Sequence, residues 1–403
     1  MANGQKLERN LALLCVFQAL LAALFPVAIM PLFWSRELGM NWTTIMSVQA
    51  FFSLVAAVCE VPSGYLADRL GYRRSLLLAS LIITLGWAIY AAASGLGTLL
   101  LAEALHGIGF SLISGADTAL LFESLKHHGR EGEFPRWYAR MRFWGQISEG
   151  TAALSAGFLY AWWARLPFVL EVVLWVAASI VVLKLVETPE RARISNHWAK
   201  VKSVARYVAI AQPELRGVLF TSAVFGILAY IPVWQIGIYA ENSGISRAWL
   251  GPIWAAANYT VAIGGALATR AKERLGLTPL LFGALGAIAL GYLGLGLSHA
   301  AFGFAFYYLT TLARGAVMIP LHHAEQQLSP SEDRATIVSI RALIFRLSVV
   351  CVMPLVGHLV DRFGQRFTFL VASAPLLFMA AFCVLWLRGL TRRTSLKLAL
   401  SEQ

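Results

Sequence analysis

The sequence predicts an all-α membrane protein of twelve transmembrane helices arranged as two pseudo-symmetric six-helix bundles, and three observations predict it. Of its 403 residues 58% are hydrophobic and only 13% charged, where a soluble domain carries about a quarter charged residues. Apolar runs recur along the chain, each roughly the twenty residues that an α-helix needs to cross the hydrocarbon core. The longest polar interval, 187–214, divides them into two sets of six.

The first set falls at 11–33, 43–63, 75–95, 98–122, 138–160 and 166–186, and the second at 216–238, 248–270, 278–297, 301–321, 335–358 and 367–387. Lipid leaves every backbone polar group to be satisfied within the segment, and runs of this length are too long for barrel strands, so they are helices. The first run follows Lys6 and Arg9 and continues past Pro26 and Pro31 with no small-residue cleavage site, as an uncleaved span does. The expected domains are a first bundle over 1–190, a linker over 191–214 and a second bundle over 215–403. Within the linker, Ile194, Trp198, Val201, Ala205 and Val208 recur at helical spacing among basic residues. That pattern predicts an amphipathic helix on the cytoplasmic face.

Lys and Arg concentrate on the cytoplasmic side of a membrane. Arg69, Arg73 and Arg74 follow span two, Lys126, Arg130, Arg136 and Arg140 follow span four, and Arg191, Arg193, Lys200, Lys202 and Arg206 follow span six. Both termini are therefore expected in the cytoplasm, with the chain in the inner or plasma membrane. The net charge of +12 is explained by this topology and by contact with anionic lipid headgroups, with no nucleic-acid role. Cys15, Cys59, Cys351 and Cys383 all lie inside spans without paired spacing, so no disulfide framework, zinc site or other metal centre is expected. No nucleotide-binding loop or nucleophile arrangement occurs. The chain is expected to need no cofactor, to catalyse no reaction and to act as a monomer.

An offset of about 201 residues lays Gly64-Tyr65-Leu66-Ala67-Asp68-Arg69 on Gly265-Ala266-Leu267-Ala268-Thr269-Arg270 and brings Glu123 close to Glu325, as a duplicated bundle would. The run Gly64-Tyr65-Leu66-Ala67-Asp68-Arg69-Leu70-Gly71-Tyr72-Arg73-Arg74, between spans two and three, resembles the signature loop of the major facilitator superfamily. With Glu60-Val61-Pro62-Ser63 before it, the run is similar to a broad bacterial subgroup with diverse substrates. The resemblance implies that Asp68 docks on the start of span eleven when the cytoplasmic side is closed. It also implies that Glu123 pairs with Arg69 or Arg73, and that Glu325 with Arg270 or Lys272 is the counterpart in the second half, weakened because Thr269 stands in place of the aspartate. Physically such a loop can latch, because a carboxylate suits the positive N-terminus of a helix and arginines bridge to acids. The alternative is that these are ordinary headgroup-level charges. In span four, Glu103 and His106 occupy places where many members carry an arginine motif, and span five lacks the Gly-Pro pair of drug/proton antiporters. The late run Gly357-His358-Leu359-Val360-Asp361-Arg362-Phe363-Gly364 looks like the signature loop too, but the span count puts it on the outer side, where it is expected as a structural turn.

Ionisable residues inside spans are costly and face a bundle interior or a water-filled cavity. On span four, Glu103, His106, Phe110, Ile113 and Asp117 fall in one narrow helical arc. On span five, Arg142, Gln146 and Glu149 form a second stripe. Asp117 and Arg142 are expected at similar depth, either as a functional pair or as a buried ion pair that fixes packing. Glu149 has no evident local partner, so burial would favour its protonated form. Proton-coupling candidates are thus Glu149, Asp117, Glu103 and Glu60. Arg314 interrupts span ten near Tyr307, Thr310 and Thr311, to hold an anionic group or to neutralise an acid. Tyr230, Trp234 and Gln235 of span seven and Trp254, Asn258 and Tyr259 of span eight offer an aromatic, hydrogen-bonding surface suited to an organic solute. The resulting expectation is a secondary transporter of a small molecule, coupled to protons. A lipid or amphiphile carrier of the same fold and a non-transporting membrane sensor are the alternatives.

Overall fold

The computed structural model describes residues 2–187, 197–210, 212–298, 301–330 and 333–401, and every regular element among them is helical. The first span is not one helix. Helix α1 (Ala2–Ala22) gives way to a 3-10 turn (Phe25–Ala28) and then α2 (Met30–Arg36). Pro26 has no N–H to donate and breaks the ladder. The N–H of Phe25, beyond the end of α1, donates to Glu171 Oε1 at 2.7 Å.

Spans two and three are α3 (Trp42–Leu70) and α4 (Tyr72–Ala91). Span four, expected as continuous, is split into α5 (Leu96–Ile113) and α6 (Ala116–Lys126), because Gly115 takes a positive φ of 83°. The single arc from Glu103 to Asp117 therefore does not form. Spans five and six are α7 (Phe134–Trp162) and α8 (Leu166–Lys184). The linker contains α9 (His197–Ile210), and the second half follows with α10 (Pro213–Asn242), α11 (Leu250–Leu275), α12 (Leu277–Leu297) and α13 (Gly303–Leu328). Last come α14 (Arg334–Phe367), a π turn (Thr368–Ala372) and α15 (Ala374–Ser401).

Among the described residues nine segments are long and apolar enough to cross a membrane, the ninth running from Thr336 to Leu390 through the last two spans. Helices α7 and α11 are not in that set. Gln146, Ser148, Glu149 and Thr151 dilute the apolar content of the first, and Asn258, Tyr259 and Thr260 that of the second.

Consecutive spans are joined three times by a single glycine with positive φ and extended ψ. These are Gly71 (101°, 152°), Gly276 (83°, 169°) and Gly364 (84°, 160°). A side chain would strain each joint. The run Gly357–Phe363 is consequently helical, and the turn expected over 357–364 is confined to Gly364.

The chain divides into two compact units. The first holds 1–40, 51–197 and 247–255, and the second holds 41–50, 198–246 and 256–403. In the first, Trp34, Tyr90, Phe168 and Trp175 are fully buried, with Tyr90 and Phe168 stacked at 5.1 Å. Asn10 ties α1 to two other elements. Its amide donates to Ser124 Oγ and to the Val186 carbonyl, and its oxygen accepts from the Val186 N–H. In the second unit the Tyr292 hydroxyl donates to the Leu228 carbonyl at 2.6 Å. There α9 packs as the linker pattern implies, with Val204 and Val208 buried against Leu215, Leu219, Ile337 and Ile340. Ile194 and the side chains of Trp198 and Val201 lie outside the described residues.

Candidate functional site

The break in span four organises the polar face of the first unit. Ser114, left exposed at the break, donates to Glu60 Oε1 of α3 at 3.2 Å. One turn on, Asp117 is occupied locally, accepting from the Thr118 N–H at 2.7 Å and from its hydroxyl at 3.2 Å. Arg142 stands close enough to act on the Asp117 charge, but the expected ion pair is not made, because Asp117 begins a new helix and turns back on its own backbone. On α7, Arg142 and Gln146 are exposed and Glu149 is half-buried. Glu149 is neither deep nor alone, since Gln146 Nε2 donates to its Oε2 at 2.9 Å.

Glu103 and His106 lie inside the unit instead. The Tyr90 hydroxyl donates to Glu103 Oε1 at 2.6 Å. His106 packs on Trp87 at 4.3 Å between ring centroids, and a Cβ on Gly86 would stand 2.8 Å from its Nε2. Such packing leaves no room for a solute, so of the two settings expected for ionisable residues in spans His106 takes the bundle interior and does not line a substrate cavity. Glu171, absent from the sequence-derived candidates, is buried in the same unit.

In the second unit the Tyr230 hydroxyl donates to Gln49 Oε1 at 3.3 Å, and its ring meets Trp234 and Phe345 edge-on at 5.8 and 5.6 Å. Gln235 is wholly buried, and neither end of its side-chain amide has a hydrogen-bond partner among the described residues. Trp254 is half-buried, while Asn258 and Tyr259 are exposed on α11. Tyr307, Thr310 and Thr311 are buried in helix packing, whereas Arg314 is exposed. Arg314 lies eleven residues into α13, roughly 16 Å along its axis, and no described carboxylate is within ion-pairing distance of it.

The gating pairs differ from the expected set. Arg69 lies over the Tyr65 ring at 4.6 Å. Arg73 caps the end of α8, donating from its side chain to the carbonyls of Val182 and Leu183 and from its N–H to Glu187. The last carbonyls of a helix are unsatisfied and carry its negative pole, so they draw a guanidinium strongly. Glu123 is thus left without either arginine. Glu325 is wholly buried and pairs with Arg341 Nε at 2.8 Å, not with Arg270 or Lys272, and Lys272 meets His323 Nδ1 at 3.2 Å. The Asp68 side chain lies outside the described residues. In the loop after α6, Arg130 bridges Glu8 and Glu133, both at 2.6 Å, and its hydrogen bond holds the Glu133 carboxyl below the usual carboxylate range.

Nine segments among the described residues that are long and apolar enough to cross a membrane, with ionisable groups on accessible faces of the helices, define a polytopic membrane protein. The chain belongs to the Major Facilitator Superfamily, whose family model matches residues 12–350. Members of that superfamily are transporters and not enzymes. The chain is 23% identical over 253 residues to the uncharacterized MFS-type transporter YxaM of Bacillus subtilis (strain 168), a match spanning 58% of this chain and 59% of that relative. Its fold is similar to that of a point mutant of the nucleoside transporter NupG, with a TM-score of 0.79, 13% identity and coverage of 94% and 99% of the two chains. A point mutant of the peptide transporter POT, in complex with sulfate, superposes with a TM-score of 0.73 at 15% identity, covering 96% and 94%.

Proposed function

We propose that this chain is a proton-coupled secondary transporter that moves a small organic solute by alternating access. Its two halves, 1–190 and 215–403, are the moving bodies. It works as a monomer in the inner membrane with both termini in the cytoplasm, and Asp68 latches the cytoplasmic side. The observation that carries the reading is Arg314, an exposed guanidinium near the middle of a spanning helix with no described acid beside it. A charge at that depth is too costly to face lipid, so it faces water. In the first unit Arg142, Gln146 and Glu149 give α7 an accessible polar stripe, and Glu60 of α3 is partly exposed. The structural relatives named for nucleosides and peptides support an organic solute.

Glu149 is the coupling residue of this reading, because Gln146 can donate to its carboxylate and the Glu149 carboxyl can donate back once protonated. Glu149→Gln is expected to abolish accumulation driven by a pH gradient while solute binding persists, as measured in proteoliposomes with a panel of labelled solutes. Accumulation that still follows the imposed gradient would remove Glu149 from the mechanism and move the search to Asp117, Glu103 and Glu60.

A second reading, a lipid or amphiphile carrier, is favoured by one feature. A cavity of about 710 Å³ in the first unit is lined mostly by apolar residues of α1 and by Trp137, Trp144 and Ala152 of α7, with Arg140, Ser148, Thr151 and Ser155 as its polar groups. Competition by amphiphiles, and not by polar solutes, would select that reading.

A further inference from the structure

The carboxylate of Asp361, near the end of α14, accepts three hydrogen bonds from the first turn of α3. The Trp42 N–H donates to one oxygen at 2.8 Å, and the Thr43 N–H and hydroxyl donate to the other at 2.7 and 2.6 Å. The opening N–H groups of a helix have no partner within it and carry its positive pole, so a bidentate carboxylate is well suited to them. A local cap is already present, since Asn41 Oδ1 accepts from the Thr44 N–H at 2.9 Å. The cap from Asp361 is therefore tertiary, and it fastens two helices together.

The backbones also touch there. A Cβ on Gly357, one turn before Asp361, would stand 2.5 Å from the Trp42 carbonyl oxygen and 2.8 Å from Thr43 Cα. Behind this contact Ile45, Met46, Val48 and Gln49 of α3 are buried. These first turns of α3 group with the second unit, whereas the remainder of α3, from Phe51, groups with the first.

We propose that Asp361 is the outer-side gating residue. Docked on the N-terminus of α3, it keeps the outer ends of α3 and α14 together, and its withdrawal opens that side. The family resemblance assigns Asp68, at the other end of α3, to the start of α14. Asp361 supplies the reciprocal contact, so the last turns of the same two helices each carry a carboxylate for the first turn of the other, engaged in alternation at opposite membrane faces. Asp361 acts by positioning helices and touches no solute. The inference rests on the alternating-access reading.

The test uses the full chain without its four native cysteines, carrying Val48→Cys as an outer reporter or Ser222→Cys, in the cavity beside His322, as an inner one. Asp361→Ala should raise labelling of the outer reporter by an impermeant maleimide about ten-fold, the factor expected for loss of a charged helix cap. Labelling of the inner reporter by a permeant maleimide should fall. Asp361→Asn, whose amide oxygen still accepts but carries no charge, should fall between. Gly357→Ala should act in the same direction by a different route, pushing the backbones apart.

Unchanged outer labelling in a monodisperse Asp361→Ala protein would overturn the proposal. So would a rise at both reporters, which signals general loosening. The labelling needs no solute. Reciprocal labelling with no transport of any solute would leave Asp361 as the latch and sink the transport reading, and transport with unchanged labelling would do the reverse.

Discussion

Arg341→Met is expected to destabilise the folded protein by about 3–5 kcal/mol, the cost of leaving a buried charge without its partner. Glu325 is fully buried, and its ion pair with Arg341 Nε is 2.8 Å long. Its other basic neighbour, His322 Nδ1, is 3.8 Å away. Neither carboxylate oxygen has a hydrogen bond to fall back on among the described residues. The double variant Glu325→Gln/Arg341→Met should recover most of the loss, because a buried pair replaced as a whole costs far less than one broken. Thermal unfolding followed by fluorescence-detected size exclusion reads both variants. A single variant as stable as the parent would show that the pair contributes nothing to the fold.

Gly264→Val should be comparably severe, at about 3 kcal/mol, the upper end for forcing extra atoms into a packed site. A Cβ at Gly264 would lie 2.0 Å from the Leu312 carbonyl oxygen, and one at Gly315 would lie 2.0 Å from that of Val261. Helices α11 and α13 cross with backbone on backbone, the close approach that small residues permit between membrane helices. No side chain can rotate away to relieve such a contact, so the helices must separate. Gly283→Ala on α12 is the control, because a Cβ there meets nothing within 4 Å. The yield of monodisperse protein should collapse for the first variant and hold for the second.

The apolar spans are legible in the sequence because length and apolarity are local properties. The two internal breaks are not legible from those properties alone. Pro26 in span one and Ser114-Gly115 in span four stand in plain sight, but apolar length reads across them. The Gln146–Glu149 bond joins residues three apart on one helix, a local relation that the expectation of no local partner for Glu149 overlooked. The partners of Glu325 and Arg73 cannot be read from spacing, because Arg341 and the end of α8 are neighbours only in the folded chain. Glu171 and Arg341 are ionisable residues within spans, and the rule that flags Glu149 and Arg314 applies to them equally. Asp361 looks like a mere turn residue in the sequence because its motif sits on the unexpected face, and its value comes from a helix N-terminus more than 300 residues earlier.

The carboxylate that satisfies the break in span one has a bearing on how the protein is made. Phe25 and Glu171 are separated by 146 residues, which a ribosome adding about 5–20 residues per second needs roughly 7 to 30 s to cover. Until Glu171 of the sixth hydrophobic segment has been made, the Phe25 N–H lacks the acceptor it has in the folded chain, although Pro26 already breaks the helix there. The contact between the first and sixth segments therefore closes only late in the synthesis of the amino-terminal half.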